Sequence, residues 1–529
     1  MGIIGKPPSV LPVIESDLIK AKSKKVTGHW VLVATILGSS MAYIDGTAVN
    51  VALPVLQEQL DATISDMQWV IEAYSLFLAS LILVGGALGD RYGRKLIFGI
   101  GIALFAVSSV LCGLSENVTE LIGFRVLQGI GGALMIPGSL AIITVYFDES
   151  ERGRAIGTWS AFSAITTAVG PVLGGWLIEE VSWRWIFFMN IPIAIVVLGV
   201  LFLKVPESKG ELAKCKIDYW GAILVTLGLG GIIYGFIESA ALGFTDPTVL
   251  GSLILGVVLL VAFIIVENRV EAPMMPLKLF KSKTFSGVNL LSFLMYAPLG
   301  GVLFFLPFAE IQVFDYTATG AGASFLPIII LLFIFSRWAG GLVDKYGAKF
   351  PLVFGSLIQA VGYVLFALLS GGGNYFYTFF PGMFVLGVGL ALSVAPQTTA
   401  VMNAVDTAYS GTASGINSAV SRVSGLIAIA LLGIVMLYLF SSGMDSGMHI
   451  HSVPEEIQIA IKGEYINLAD SQIPIGIAPE VENKLKELVE ISYVSSFNVI
   501  MYISAVFCLL SALVAWLMVS DEKRFENKN

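Results

Sequence analysis

Long apolar stretches, broken by short polar turns, run along almost the whole chain. A bilayer-crossing helix needs about 20 mostly apolar residues. That ruler predicts fourteen spans, near 30–55, 66–88, 96–115, 120–147, 154–178, 184–203, 217–239, 248–267, 284–311, 320–342, 350–370, 375–400, 411–440 and 494–518. The turns alternate in charge. Lys and Arg gather at 20–25, 91–95, 152–154, 204–216, 269–283 and 345–349, whereas 56–65, 116–119, 240–247, 312–319 and 371–374 hold neither. Basic residues favour the cytoplasmic side. The tails 1–29 and 520–529 are therefore expected inside the cell and the loop 441–493 outside. Arg184, between Trp183 and Trp185, breaks the alternation and reads as an interfacial anchor. In the outer loop, Val481, Leu485, Leu488 and Val489 share one helical face, and Glu480, Glu482, Lys484 and Lys486 cover the other. A short amphipathic helix over the outer mouth is expected there, with a protein partner as the alternative reading.

The pattern repeats. Gly86-Ala87-Leu88-Gly89-Asp90-Arg91-Tyr92-Gly93-Arg94-Lys95 returns as Gly340-Gly341-Leu342-Val343-Asp344-Lys345-Tyr346-Gly347-Ala348-Lys349, 254 positions later. Gly129-Ile130-Gly131-Gly132-Ala133 with Pro137 returns as Gly387-Val388-Gly389-Leu390-Ala391 with Pro396. Duplication of this kind marks transporters built from repeated bundles. The expected architecture is an all-α integral membrane protein. It has a six-helix bundle over 30–203, two inserted helices within 204–283 and a second six-helix bundle over 284–519.

Composition sharpens this. The chain is 56% hydrophobic and 13% charged, against about 25% charged in soluble domains. Its net charge of -8 and lack of a basic block argue against nucleic acid. Cys112, Cys215 and Cys508 are widely spaced, and His29, His449 and His451 form no zinc pattern. No P-loop or His-Glu-x-x-His motif occurs, so neither an enzyme nor a bound cofactor is expected. A continuous channel fits the duplication less well than alternating access does.

Charged residues at membrane depth are the candidate chemistry. Asp45 lies well inside the first span, where a carboxylate costs roughly 2.5–3.5 kcal/mol and needs a partner or a proton. Glu72 is a proton site or a residue of the outer rim. Arg125 sits near the outer end of the fourth span and could snorkel. Glu310 reads as a rim residue. Arg422, inside the thirteenth span, could pair with a carboxylate of the first half. Pro171 kinks the fifth span, and Gly170, Gly174 and Gly175 allow close helix approach.

Four motifs then carry a resemblance. Asp45-Gly46-Thr47-Ala48-Val49-Asn50-Val51-Ala52-Leu53-Pro54, Gly89-Asp90-Arg91-Tyr92-Gly93-Arg94-Lys95, Arg125-Val126-Leu127-Gln128-Gly129 and Gly170-Pro171-Val172-Leu173-Gly174-Gly175 stand in order. The chain resembles the fourteen-span drug:proton antiporters of the major facilitator superfamily over about 30–520. The resemblance implies the major facilitator fold and export of amphipathic or cationic compounds in exchange for protons, with no other cofactor. A specific metabolite such as an amino acid, sugar or siderophore is the alternative cargo. It implies proton coupling at Asp45 and Arg125, and a cavity lined by Asn50, Gln128, Phe305 and Gln397; Glu72, where many relatives carry a small hydroxyl residue, departs from the pattern and stands as a further proton-coupling candidate on its own position. Gating falls to Gly89, Asp90, Arg91, Gly93, Arg94, Arg154, Gly170, Pro171, Gly174, Gly175, Asp344 and Arg422. Asp90, Arg91, Arg94 and Arg154 are expected to meet at the cytoplasmic face. A bacterial plasma membrane is the expected location.

Overall fold

The computed structural model describes the chain except residues 1–10, 148, 210–217, 272, 370–373, 407–408, 451–452, 475–476 and 521–529. The side chains of a few others, among them 11–27, Arg152, Arg337 and Asp344, are also outside the description. Among the described residues every regular element is a helix. The first half comprises α1 (Leu11–Gln59), α2 (Ile64–Tyr92), α3 (Arg94–Leu114), α4 (Val118–Tyr146), α5 (Glu149–Glu180), α6 (Arg184–Phe188) and α7 (Asn190–Lys204). A hairpin of α8 (Tyr219–Leu242) and α9 (Pro247–Glu267) follows. The second half comprises α10 (Lys283–Phe308), α11 (Ala318–Ser324), α12 (Leu326–Tyr346), α13 (Lys349–Leu369), α14 (Tyr375–Thr378), α15 (Phe380–Asn403), α16 (Ser410–Ile450), α17 (Glu455–Lys462) and α18 (Pro479–Met518). Thirteen described stretches are long and apolar enough to cross a membrane. Helix α5 takes the place of the fifth predicted span.

Polar turns start these helices by capping their free N–H groups. Thr63 and Asp66 form a reciprocal capping box on α2. Asn117, Asp246 and Ser282 cap α4, α9 and α10. The helices then pack through glycine. A Cβ on Gly131 would stand 2.7 Å from Phe105 N in α3, and one on Gly389 2.7 Å from Gln359 N in α13. Gly101 in turn faces Gly131 O, and Gly355 faces Gly389 O, each at 2.9 Å from the added carbon. Both copies of the glycine repeat do the same work: they let backbones meet where apolar side chains gain little from leaving lipid.

The hairpin α8–α9 seats against both halves. Leu76 of α2, Leu229, Ile233 and Ile237 of α8, and Leu426 and Ala430 of α16 form one buried cluster. Trp69 of α2 donates from Nε1 to Glu238 Oε1 of α8 at 3.4 Å. Beside it, Gln68 Nε2 donates to Ile429 O of α16 at 2.9 Å.

The outer loop differs from expectation. Helix α16 continues to Ile450 and α18 begins at Pro479, so the amphipathic segment is the first turns of a long helix. Leu485, Leu488 and Val489 are buried in the main core, which holds that segment upright rather than flat over the mouth. Between the helices, α17 and a 3₁₀ turn (Tyr465–Asp470) form a strap. It is pinned by buried Ile461 and Leu468 and by Gln57 Nε2, which donates to Asn467 O at 3.2 Å.

Replacing Gly131 with Val should cost about 1–3 kcal/mol by overpacking. Gly123→Ala, where an added carbon meets nothing within 4 Å, should cost little. Thermal melts of the two purified variants against the parent chain check this.

Candidate functional site

The first predicted carboxylate finds its partner in the middle of the first half. Asp45 of α1 and Arg125 of α4 are both fully buried, with Nη1 2.5 Å from Asp45 Oδ2. Gln128, one turn further along α4, joins them. Its Nε2 donates to Asp45 Oδ1 at 2.8 Å, and its Oε1 accepts from Arg125 Nη1 at 2.8 Å. Arg125 Nε donates to Val70 O of α2 at 3.0 Å, and the guanidinium lies 4.3 Å from the Tyr74 ring centroid. Arg125 Nη2 and the Tyr74 hydroxyl remain without partners. Snorkelling is thereby excluded for Arg125. A charge this deep persists only if paired and hydrogen-bonded, and the three side chains satisfy one another almost completely.

The other acidic candidates are also inside. Glu72 is fully buried, not on the outer rim, and neither carboxyl oxygen has a partner. It stands on α2 between Gln68, bonded to α16, and Leu76, packed on α8 and α16. Glu310 is buried too, with Oε2 accepting from Ser324 Oγ at 3.0 Å and Oε1 without a partner. Its place on a five-residue π-helical turn after α10 hid this from a span-by-span reading.

The residues expected to touch cargo are less exposed than a cavity wall requires. Phe305 is fully buried and its carbonyl accepts from the Tyr493 hydroxyl at 2.9 Å, so it is core. Gln128 belongs to the ion-pair cluster. Gln397 Nε2 donates to Ser292 Oγ at 2.6 Å and Asn417 Oδ1 at 3.0 Å, in a buried polar network that also holds Asn289. Asn50 turns back to Gly46 O at 2.9 Å. Sequence reading missed Ser292, Asn289 and Asn417, because single polar residues in apolar spans carry no spacing signal.

Arg422 has no carboxylate partner among the described residues. It lies on the α16 stripe of Gly415, Ile429 and Gly433, which touches Leu83 and Gln68 of α2. It stands within electrostatic reach of Tyr43 in α1 and Tyr74 in α2, across the junction of the halves. A Cβ on Gly46 of α1 or Gly425 of α16 would meet nothing within 4 Å, so there is open space beside each of these glycines.

At the turn between α2 and α3, Asp90 and Arg94 pair at 2.7 Å. Arg91 instead lies over Tyr92, and Arg154 is exposed and joins no ion pair among the described residues. The expected four-residue meeting is thus reduced to one pair, because Arg154 projects into solvent. Asp344's side chain lies outside the described residues. Gly89 O closes the turn by accepting from Gly93 N at 3.0 Å, and Gly93 adopts φ +127°. Lacking a side chain, Gly93 cannot cap α3. Glu207 does so from beyond α7, accepting from Lys95 N at 3.0 Å and Leu96 N at 3.1 Å.

Gly170, Pro171, Gly174 and Gly175 form a double seam. Added carbons on Gly170 and Gly174 would strike Thr47 and Ala48 of α1. One on Gly175 would stand 2.2 Å from Ala318 O, and one on Gly322 2.1 Å from Pro171 O. Helix α5 therefore presses on α1 of its own half and on α11 of the other. Pro171 leaves Thr167 O without its helical donor, and Thr47 Oγ1 approaches that carbonyl at 3.3 Å. With the Gln57–Gln312 bond at 3.3 Å, this seam closes the outer end.

The strap above the seam carries Asp470, close to Glu58 and Asp61 at the end of α1 and to Glu464. Burial first, then these like charges, push its carboxyl up to about 6. The folded value exceeds the unfolded one, so docking is most favourable below about 4 and weakens as pH rises through about 6. Amide protection over 464–471, taken relative to the intrinsic base-catalysed rate at each pH, should therefore be lower at pH 7.5 than at pH 5, with the difference removed in Asp470→Asn. Equal protection at both pH values in the parent chain would refute it.

Comparison with known proteins agrees with this geometry. A model of the Major Facilitator Superfamily matches residues 35–429. The tetracenomycin C resistance and export protein of Streptomyces glaucescens is 32% identical over 405 residues, covering 77% of this chain and 75% of that one. Multidrug resistance protein Stp of Mycobacterium tuberculosis is 33% identical over 437 residues, covering 82% and 80%. Among solved structures, a bacterial homologue of the human lysosomal transporter Spinster, inward-facing and occupied, aligns with a TM-score of 0.65. It covers 93% of this chain and 96% of that one at 16% identity, a likeness of fold.

Proposed function

The chain belongs to the Major Facilitator Superfamily, a family of membrane transporters, and we propose that it exports amphipathic drug-like compounds from the cytoplasm in exchange for protons. The observation that carries this reading is the fully buried Asp45–Arg125 pair. Export rests on relatives named as resistance, export and multidrug transporter proteins. The basic turns support an orientation with both termini inside, and the bacterial relatives support a plasma-membrane location.

The pair supplies a coupling device. With Asp45 ionised, the two charges cancel. A proton on Asp45 leaves an uncompensated guanidinium where no water reaches, and breaking a buried pair costs about 3–5 kcal/mol. The protonated protein must then repack around α1, α2 and α4, where Val70 O and Gln128 already hold Arg125. A proton thus favours one packing and its loss the other, which is the differential affinity that alternating access requires. The backbone seam of α5 with α11 is the outer gate of this cycle. Glu72, buried and unpartnered where α2 meets α16 and α8, is a second proton site on the junction that must flex.

Cargo chemistry follows from Arg422. In the junction between α1, α2 and α16 it is a cation with no described counter-charge, while Asp45 is already neutralised. Acceptor-bearing neutral amphipaths fit this space better than cations do.

Two outcomes are expected. In energised cells, Asp45→Asn at equal expression, or an uncoupler on the parent chain, should reduce efflux of a transported dye at least about tenfold, the usual scale of a lost charge-assisted contact. Efflux that survives both would overturn proton coupling. Arg422→Gln should raise the ratio of ethidium efflux to efflux of a neutral amphipath by a factor of about three to ten. An unchanged ratio would remove Arg422 from cargo selection.

A further inference from the structure

Helix α11 is the part of the second half that closes the outer seam, and its far end rests on a buried carboxyl. Ala318 and Gly322 meet the backbone of α5, and Thr319 N donates to Glu179 Oε2 of α5 at 3.2 Å. Two residues beyond Gly322, Ser324 ends α11 against Glu310. Glu310 is 0% and Ser324 2% exposed. The Tyr375 hydroxyl donates to Ser324 O at 2.8 Å, and Tyr316 N donates to Glu310 O at 2.8 Å. The short helix is thus held between the seam on one side and Glu310 on the other.

The bonds around Ser324 call for a proton on that carboxyl. Ser324 Oγ stands 3.0 Å from Glu310 Oε2 and 2.8 Å from Ala321 O. A serine hydroxyl has one hydrogen to give. Spent on an ionised Glu310, it is lost to Ala321 O, and Glu310 Oε1 still has no donor. With a proton on Oε2, the carboxyl donates to Ser324 Oγ, and the serine hydrogen goes to Ala321 O. No cation offers an alternative among the described residues. From 284 to 336 the charged residues are Glu310 and Asp315, and from 350 to 403 there are none. Tyr316 and Tyr375 are the titratable groups within electrostatic reach. On the strap and α18, the Tyr493 hydroxyl is spent on Phe305 O, and Lys462, Lys484 and Lys486 pair with carboxylates of their own neighbourhood.

We propose that Glu310 is the proton latch of the outer gate: carrying a proton on Oε2, it holds Ser324, and through α11 it holds the seam on Pro171 closed. When the gate opens, the proton passes from Oε2 to outer water, and closing takes one back from there. Glu310 is therefore a positioning residue that moves no charge across the membrane, and Asp45 keeps that task. Acid outside then favours the closed outer gate, the direction that suits an exporter taking its coupling proton from outside. The inference rests on the reading of the α5–α11 seam as the outer gate.

The test is a distance measurement by pulsed electron spin resonance on the purified full chain in nanodiscs. Spin labels go on Glu180→Cys at the end of α5 and Tyr377→Cys on α14, both exposed, with Cys215→Ser. Neither cargo nor a gradient is needed, so the result stands apart from the efflux assays. Between pH 5.5 and pH 8.5 the parent chain should shift toward the longer distance, its open-to-closed ratio rising up to about tenfold per pH unit, the slope of one linked proton. Glu310→Gln, whose amide donates as the acid does, should stay closed at both pH values. Ser324→Ala should move the pH 5.5 population toward the longer distance. Gly322→Trp, which forces the seam apart, marks the open distance. A pH shift that persists in Glu310→Gln, or a parent chain that ignores pH while Gly322→Trp lengthens the distance, would overturn the latch and leave the gate. A distance fixed in every variant, Gly322→Trp included, would remove both.

Discussion

A carboxylate and a guanidinium held where water cannot reach must stay matched, and the first half is arranged around that requirement. Asp45 and Arg125 come from helices far apart in sequence. Gln128 donates to the second carboxylate oxygen and accepts from Arg125 Nη1, Val70 gives up a carbonyl, and Tyr74 lays its ring against the cation. The cluster works only while α1, α2 and α4 keep their spacing to within a few tenths of an ångström. Glycines set that spacing: Gly129 admits the backbone of Tyr74, and Gly131 that of Phe105. The chemistry and the packing are thus one constraint, met along the same stretch of α4.

The second half repeats the packing without a buried ion pair among its described residues. Gly389 and Gly355 reproduce the approach of Gly131 and Gly101, yet the buried polar residues beside α15 are Ser292, Asn289, Gln397 and Asn417, all uncharged. Amides and hydroxyls can satisfy one another in a fixed arrangement with no proton to gain or lose. The ion pair belongs to the first half, whereas the buried carboxyl of the second half, Glu310, is held by the Ser324 hydroxyl alone. The α5–α11 seam follows this division, since a close backbone contact forms or parts as a unit.

Much of the fold could be read from the chain because its signals are local. Apolar runs, basic turns and a fixed repeat offset place the helices, and the depth of Asp45 in an apolar run marks a buried charge. What escaped depends on distant partners. Nothing near Glu207 announces that it caps a helix beginning over a hundred residues earlier. Nothing near Glu310 shows that a π-turn folds it inward against Ser324. Asn417 gains meaning only from Ser292 across the bundle. The start of α18 was misplaced for the opposite reason. Its first turns are amphipathic because one side packs on the core, and from sequence that pattern is the same as a helix lying on a surface.

The inserted hairpin has a mechanical consequence. Helix α8 grips α2 through Trp69 and Leu76, and α16 through Leu426 and Ala430. A body fastened to both sides of a moving joint must sit where the displacement is smallest. In the alternating-access cycle proposed above, the line along α2, α16 and α8 would be the axle about which the halves rock, and the extra pair of helices its bearing. A transporter with such a bearing trades lateral freedom between its halves for a single degree of rotation, so its two mouths cannot gape sideways into the lipid while they open to water.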